Sequence, residues 1–182
     1  MTFMLDFSTN YNIYSLSKGE KIMIDIYDSE SIVKAYRLLN KKCEAIDRFV
    51  ENHAHYFGPC SFEFSAVDVY NNMLELMTRK NELINFKLIV DSAVNVLPEK
   101  DKKILYLKMN YNLSLTEICG VLELKERTCF RHIERAYLDL AEALNRSRYS
   151  EKLEKLIRRE EWIVDMRDAI EAKHMAYRSV RL

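Results

Sequence analysis

From Ser31 to His53 the apolar residues Ile32, Tyr36, Leu39, Cys43, Ile46 and Val50 recur at alternating steps of four and three. Such steps stack side chains on one face of a helix, so the spacing predicts an amphipathic helix of about six turns. Gly58-Pro59 interrupts the pattern. Ser65, three residues before Asp68, then offers a capping signature to a second run. In it Val69, Met73, Leu76, Leu83, Val90 and Val94 are apolar, with Tyr70, Leu74, Met77, Ile84 and Leu88 beside them, and no Gly or Pro intervenes before Pro98. Each helix has one apolar stripe to bury, which predicts an antiparallel hairpin over residues 29–96.

The two ends of the chain differ from each other. In residues 147–182, Leu156, Ile163, Ile170 and Tyr177 fall at intervals of seven, flanked by Leu153, Val164 and Met166. Their spacing predicts a single charged amphipathic helix from Ser150 to Tyr177. That helix and Trp162 dock either on the chain's own long helices or on a second copy, so a homodimer stays open. Residues 1–28 are aromatic and β-branched instead. Tyr11–Leu16, Ser17-Lys18-Gly19-Glu20 and Lys21–Tyr27 read as strand, turn and strand of a small β-hairpin, or as a poorly ordered arm.

Residues 97–146 are punctuated more closely. Pro98 suits a helix start, and Ile104, Leu105 and Leu107 supply a buried face until Asn110-Tyr111-Asn112 ends the helix. Ser114 and Glu117 form a capping box for a short second helix whose Leu115, Ile118, Cys119 and Leu122 face inward. Leu124 plugs a turn, and Lys125 to Leu144 forms a third helix with Cys129, Ile133, Ala136 and Leu140 inside. A short helix, a tight turn and a longer helix make a helix-turn-helix. Its outer face would carry Lys125, Glu126, Arg127, Thr128, Arg131, His132, Glu134 and Arg135. The expected fold class is therefore all-α: a long N-terminal helical hairpin, a central tri-helical helix-turn-helix and an amphipathic C-terminal helix.

Composition narrows the function. With 48% hydrophobic and 31% charged residues but only 3 Gly and 2 Pro, the chain favours long helices over many-turned β architecture. No run approaches a membrane span and the first residues lack a secretory pattern, so a cytoplasmic protein without membrane attachment is expected. The four cysteines, Cys43, Cys60, Cys119 and Cys129, form no CxxC pair and read as reduced. His53, His55 and Cys60 are loosely spaced and lack a fourth ligand, which argues against a metal. No nucleophile–base pair or glycine-rich phosphate loop stands out, so neither catalysis nor a cofactor is expected. Lys plus Arg equals Asp plus Glu at 28 each, but the balance shifts from −3 over residues 1–97 to +1 over 98–146 and +2 over 147–182.

Leu97-Pro98, Leu105, Leu107, Ser114-Leu115-Thr116-Glu117-Ile118, Leu122-x-Leu124, Glu126-Arg127-Thr128 and Arg135-Ala136 together resemble region four of the sigma-70 family. The resemblance covers about a quarter of the chain. It implies a third helix that reads promoter DNA and a module that also contacts RNA polymerase. Three places depart from the family pattern: Glu123 stands where a turn glycine is usual, Lys125 where a Ser or Thr cap is usual, and Cys119-Gly120 where an Ala followed by a charged residue is usual. The N-terminal half lacks the aromatic cluster of a strand-melting region. In size and layout the chain is similar to sigma-like regulators of phages and prophages of Gram-positive bacteria, rather than to a complete sigma factor.

The resulting expectation is sequence-specific binding of double-stranded DNA, regulating transcription, through Lys125, Arg127, Thr128, Arg131, His132 and Arg135. A helix stripe of arginines can fork onto guanine edges or meet phosphates, whereas Lys125 and Thr128 lie at the helix start, where backbone N–H groups favour a phosphate. Taken alone, the same arginines would read as a solvated face paired with Glu123, Glu134 or Asp139. Phe130 is either an exposed base-contacting residue or packed against another helix, and packing is the expectation. Two alternatives remain: a protein-interaction module contacting RNA polymerase or a sigma factor, and a DNA-binding subunit of a phage packaging complex.

Overall fold

The structure is a computed structural model that describes residues 23–56 and 66–179. Among these residues it contains seven α-helices and no strand: α1 (Ile26–Tyr56), α2 (Ala66–Asn95), α3 (Glu99–Tyr106), α4 (Leu115–Leu122), α5 (Glu126–Arg146), α6 (Ser150–Arg159) and α7 (Glu161–Ser179). A single π-helical turn, Leu107–Tyr111, continues α3. The all-α expectation holds. Most of the expected N-terminal β-hairpin, together with the side chains of His53, His55 and Cys60 and the Ser65 cap, lies outside the described residues. Where the second expected strand enters them, Ile26 and Tyr27 already belong to α1.

That helix starts five residues before Ser31 because Asp25 and Asp28 cap it reciprocally. The Asp28 N–H donates to Asp25 Oδ1 at 2.7 Å, and the Asp25 N–H donates to Asp28 Oδ2 at 3.1 Å. Each carboxylate satisfies an amide that the helix leaves without a partner. The cap is clamped from α7, where Arg167 donates to Asp28 at 2.9 Å and to Asp25 at 3.0 Å.

The helices α1 and α2 form the expected antiparallel hairpin, and three polar contacts fix its register. Tyr36 donates to Asp91 at 2.6 Å, Lys87 to Asn40 at 3.1 Å and Lys80 to Asp47 at 2.5 Å. Ile32, Leu39, Leu83, Phe86 and Val90 are buried between these helices and the rest of the chain. The buried apolar residues from Ile24 to Ile163 form one cluster, so the helix-turn-helix, the hairpin and the tail share a core. Asn145 adds a tie from the end of α5, accepting from the Ile24 N–H and donating to the Ile24 carbonyl.

The tail differs from expectation in one respect. Instead of one helix from Ser150 to Tyr177, it is two helices broken at Glu160, whose backbone (φ −84°, ψ 91°) leaves the helical region. Leu153, Leu156, Ile157, Ile163 and Ile170 are buried within the chain. Trp162 also docks internally: its indole N–H donates to Glu160 at 2.7 Å, and Lys42 of α1 lies 5.2 Å from its ring. Between the two dockings left open by the sequence, this structure shows the internal one.

Candidate nucleic-acid interface

The candidate interface is built on local capping. Ser114, in extended backbone, accepts the Glu117 N–H at 3.3 Å, and the Glu117 carboxylate accepts the Ser114 N–H at 2.6 Å. This is the expected capping box, and its hydrogen bonds hold the Glu117 carboxyl below the usual carboxylate range. Upstream, Asn112 takes the left-handed conformation (φ 53°) that ends the π-helical turn, and Lys108 donates to the Leu113 carbonyl at 2.7 Å. Ile118 and Cys119 are buried on α4, with Leu115 and Leu122 partly buried against the same core.

The joint to α5 is made by the backbone. Glu123 has φ 52° and ψ 37°, its N–H donates to the Gly120 carbonyl at 3.3 Å, and the Leu124 N–H reaches back to the Cys119 carbonyl at 3.0 Å. These two bonds are the helix-ending arrangement that normally uses glycine at the left-handed position. The side chain of Leu124 packs partly buried against the core as expected. Lys125 then precedes α5 in extended backbone, and its side chain supplies no cap.

One face of α5 is fixed by Cys129, Ile133, Ala136, Tyr137, Leu140, Ala141 and Leu144, all buried. The opposite face brings Lys125, Arg127, Thr128, Arg131 and Arg135 together in solvent. Arg127 and Arg131 have no ion-pair partner among the described residues. Arg135 has one, with its Nε 3.6 Å from Asp139 Oδ2, but 72% of its side chain stays exposed. His132 is half-buried rather than fully outward, and so is Glu134. Phe130, expected to pack against another helix, is instead 47% exposed, because the buried stripe of α5 runs through its neighbour Cys129.

The sequence reading missed Asp101, a buried residue of α3 beneath this face. Burial, and then the carboxylate of Asp139, push its carboxyl above the usual range, while Arg135 and His132 pull it down. Asp101 thus joins the electrostatic environment of Arg135 and His132 from another helix. Its only sequence signal is a place in the first turn of α3, where acidic residues are common for helix-dipole reasons alone.

Residues 87–140 match the family model of sigma-70, region 4. No curated protein and no solved structure gives a significant match to the chain. The region 4 segment takes in the last turns of α2, then α3, α4 and most of α5. It therefore contains the capping box, the Glu123 joint and all six candidate DNA-facing residues. The matched segment is similar to sigma-70 region 4, and α4, the Glu123 turn and α5 within it have the geometry of a helix-turn-helix. Its first residues belong to the helical hairpin, which agrees with the shared core and shows how the α1–α2 hairpin holds the helix-turn-helix in place.

Proposed function

We propose that the protein binds duplex DNA sequence-specifically through α5 and regulates transcription as a binding protein rather than an enzyme. The observation that carries this reading is the exposed stripe of Arg127 and Arg131, free of carboxylate partners among the described residues, on a helix braced by α4. A helix held in this way can enter the major groove, about 12 Å wide, and present guanidinium groups to base edges or phosphates. Arg135 is the weaker candidate, since binding would first have to draw it from Asp139. The first turn of α5, with Lys125 and Thr128 exposed, suits a phosphate.

The matched family also favours RNA polymerase as a second partner, and Tyr106 and Tyr111, exposed and 5.9 Å apart between ring centroids, offer the segment an aromatic contact for a protein partner. A cytoplasmic location agrees with both partners.

The test is a salt titration of binding to a pool of promoter fragments. Arg127→Ala with Arg131→Ala is expected to weaken binding and to lower the salt slope by about one for each phosphate that is no longer neutralised. Both side chains are exposed, so the helix should remain folded. Unchanged affinity and slope in that variant would remove α5 as the DNA-facing helix.

A further inference from the structure

The helix α2 buries one face against α1 and the core, but a second face is apolar and exposed. Val67, Tyr70, Leu74, Met77, Ile84 and Leu88 are 65%, 66%, 52%, 53%, 41% and 60% exposed. Their steps are three, four, three, seven and four, and the seven is divided by Asn81, which falls where the next member of the stripe would stand. The stripe thus follows a heptad repeat for three heptads, with a single asparagine near its middle. Asn81 is exposed and has no hydrogen-bond partner among the described residues. Asn71, Thr78, Asn85 and Ser92, along one edge of the stripe, are exposed and uncharged. Lys80 and Lys87, along the other edge, are turned to Asp47 and Asn40 of α1.

We infer that this face is the seam of a parallel two-helix coiled coil with α2 of a second copy of the chain. Asn81 selects the occupant. An unrelated apolar segment laid on the stripe would bury its amide without a partner, which is costly. Another copy in parallel register places one Asn81 opposite the other, and the two amides pair. In antiparallel register Asn81 would instead face the apolar Ile84 or Met77, because each position then meets the other kind of seam position.

Charge and area agree with this occupant. In parallel register Lys80 and Lys87 of one copy approach Asn85 and Ser92 of the other, so no like charges are opposed. With these exposures the six apolar side chains offer on the order of 600 Å² per copy, so pairing removes at most on the order of 1,200 Å² through them, the lower edge of the size class of specific interfaces. Leu156, Ile163 and Ile170 of the tail are already buried in their own chain and leave no comparable stripe among its described residues.

Sedimentation velocity on the full chain tests the seam. The wild type is expected at twice 21.6 kDa. Leu74→Glu with Leu88→Glu should weaken association by about 100-fold or more and sediment at half the wild-type mass, with its helical circular dichroism retained. Asn81→Cys should give a covalent dimer under mild oxidation, and Glu75→Cys, off the seam, should not. Asn81→Leu should keep the protein folded and associated but loosen its oligomer specificity, giving species larger than a dimer. A monomeric wild type overturns the inference, including the case in which the glutamate variant merely melts earlier because the stripe packs against another part of the same chain. A dimer that persists in the glutamate variant, or Asn81→Cys that fails to cross-link, overturns it equally.

Discussion

Two joints between consecutive helices carry a glutamate, and they are made by opposite means. At Glu123, between α4 and α5, the backbone does the turning: φ is positive, two amides reach back to the Cys119 and Gly120 carbonyls, and the side chain is exposed. At Glu160, between α6 and α7, φ is ordinary and the side chain holds the break. It is buried, receives Arg79 through two bonds at 2.9 and 2.7 Å, and receives the Trp162 indole at 2.7 Å. Its own carbonyl accepts the Ile163 N–H at 2.8 Å and the Val164 N–H at 3.2 Å, starting α7. The first joint is written in neighbouring residues. The second exists only once α2 has delivered a guanidinium to it.

The sharpest way to break this contrast is Glu160→Ala. Removing one partner of a buried, hydrogen-bonded ion pair costs about 3–5 kcal/mol, and because 46% of the Arg79 side chain remains exposed, about 2–3 kcal/mol is expected here. Denaturant unfolding with an unchanged m-value would measure it. A loss below about 0.5 kcal/mol would mean that the apolar packing of Ile163 and Ile157 sets the break without the carboxylate.

Acid should reveal the same joint more gently. Burial pushes the Glu160 carboxyl up, but its bonds from Arg79 and Trp162 more than offset this and hold it below the ordinary glutamate value. A depressed folded-state value means that the charged form is favoured by folding. Its contribution is therefore fully present above 4.5 and lost as pH falls through the lowered value. Stability curves of the wild type and Glu160→Gln should run apart at neutral pH and converge on acidification. Parallel curves down to low pH would show that the ionised carboxylate contributes nothing.

These differences explain what could be read from the chain in advance. Ser114 and Glu117, three residues apart, announce the start of α4, and the periodic Cys129, Ile133, Ala136 and Leu140 announce which side of α5 is left for Arg127 and Arg131. All of this is decided within a few residues. The break at Glu160 has no such signal: no Gly or Pro lies between Ser150 and Ser179, the heptad spacing of Leu156, Ile163 and Ile170 runs straight through it, and Arg79 is 81 positions away. Asp101 escaped notice for the same reason, since its partners Asp139, Arg135 and His132 sit on another helix. The early start of α1 is a different case. Asp25 and Asp28 do stand at capping spacing, but Ile24, Ile26 and Tyr27 around them have strand propensity, and here tertiary packing overrides it.

The smallest effect belongs to the backbone-made joint. A side chain in the left-handed region costs roughly 1–2 kcal/mol, which glycine does not incur, but glycine gives back about 0.5–1 kcal/mol through the greater freedom of its unfolded chain. Glu123→Gly should therefore stabilise the protein by about 0.5–1 kcal/mol, read as a shift of the denaturation midpoint at constant m-value. The Glu123 side chain has no hydrogen bond or ion pair among the described residues that would disappear with it. If the variant is instead destabilised, the turn depends on the glutamate side chain after all, and the two joints are made in the same way.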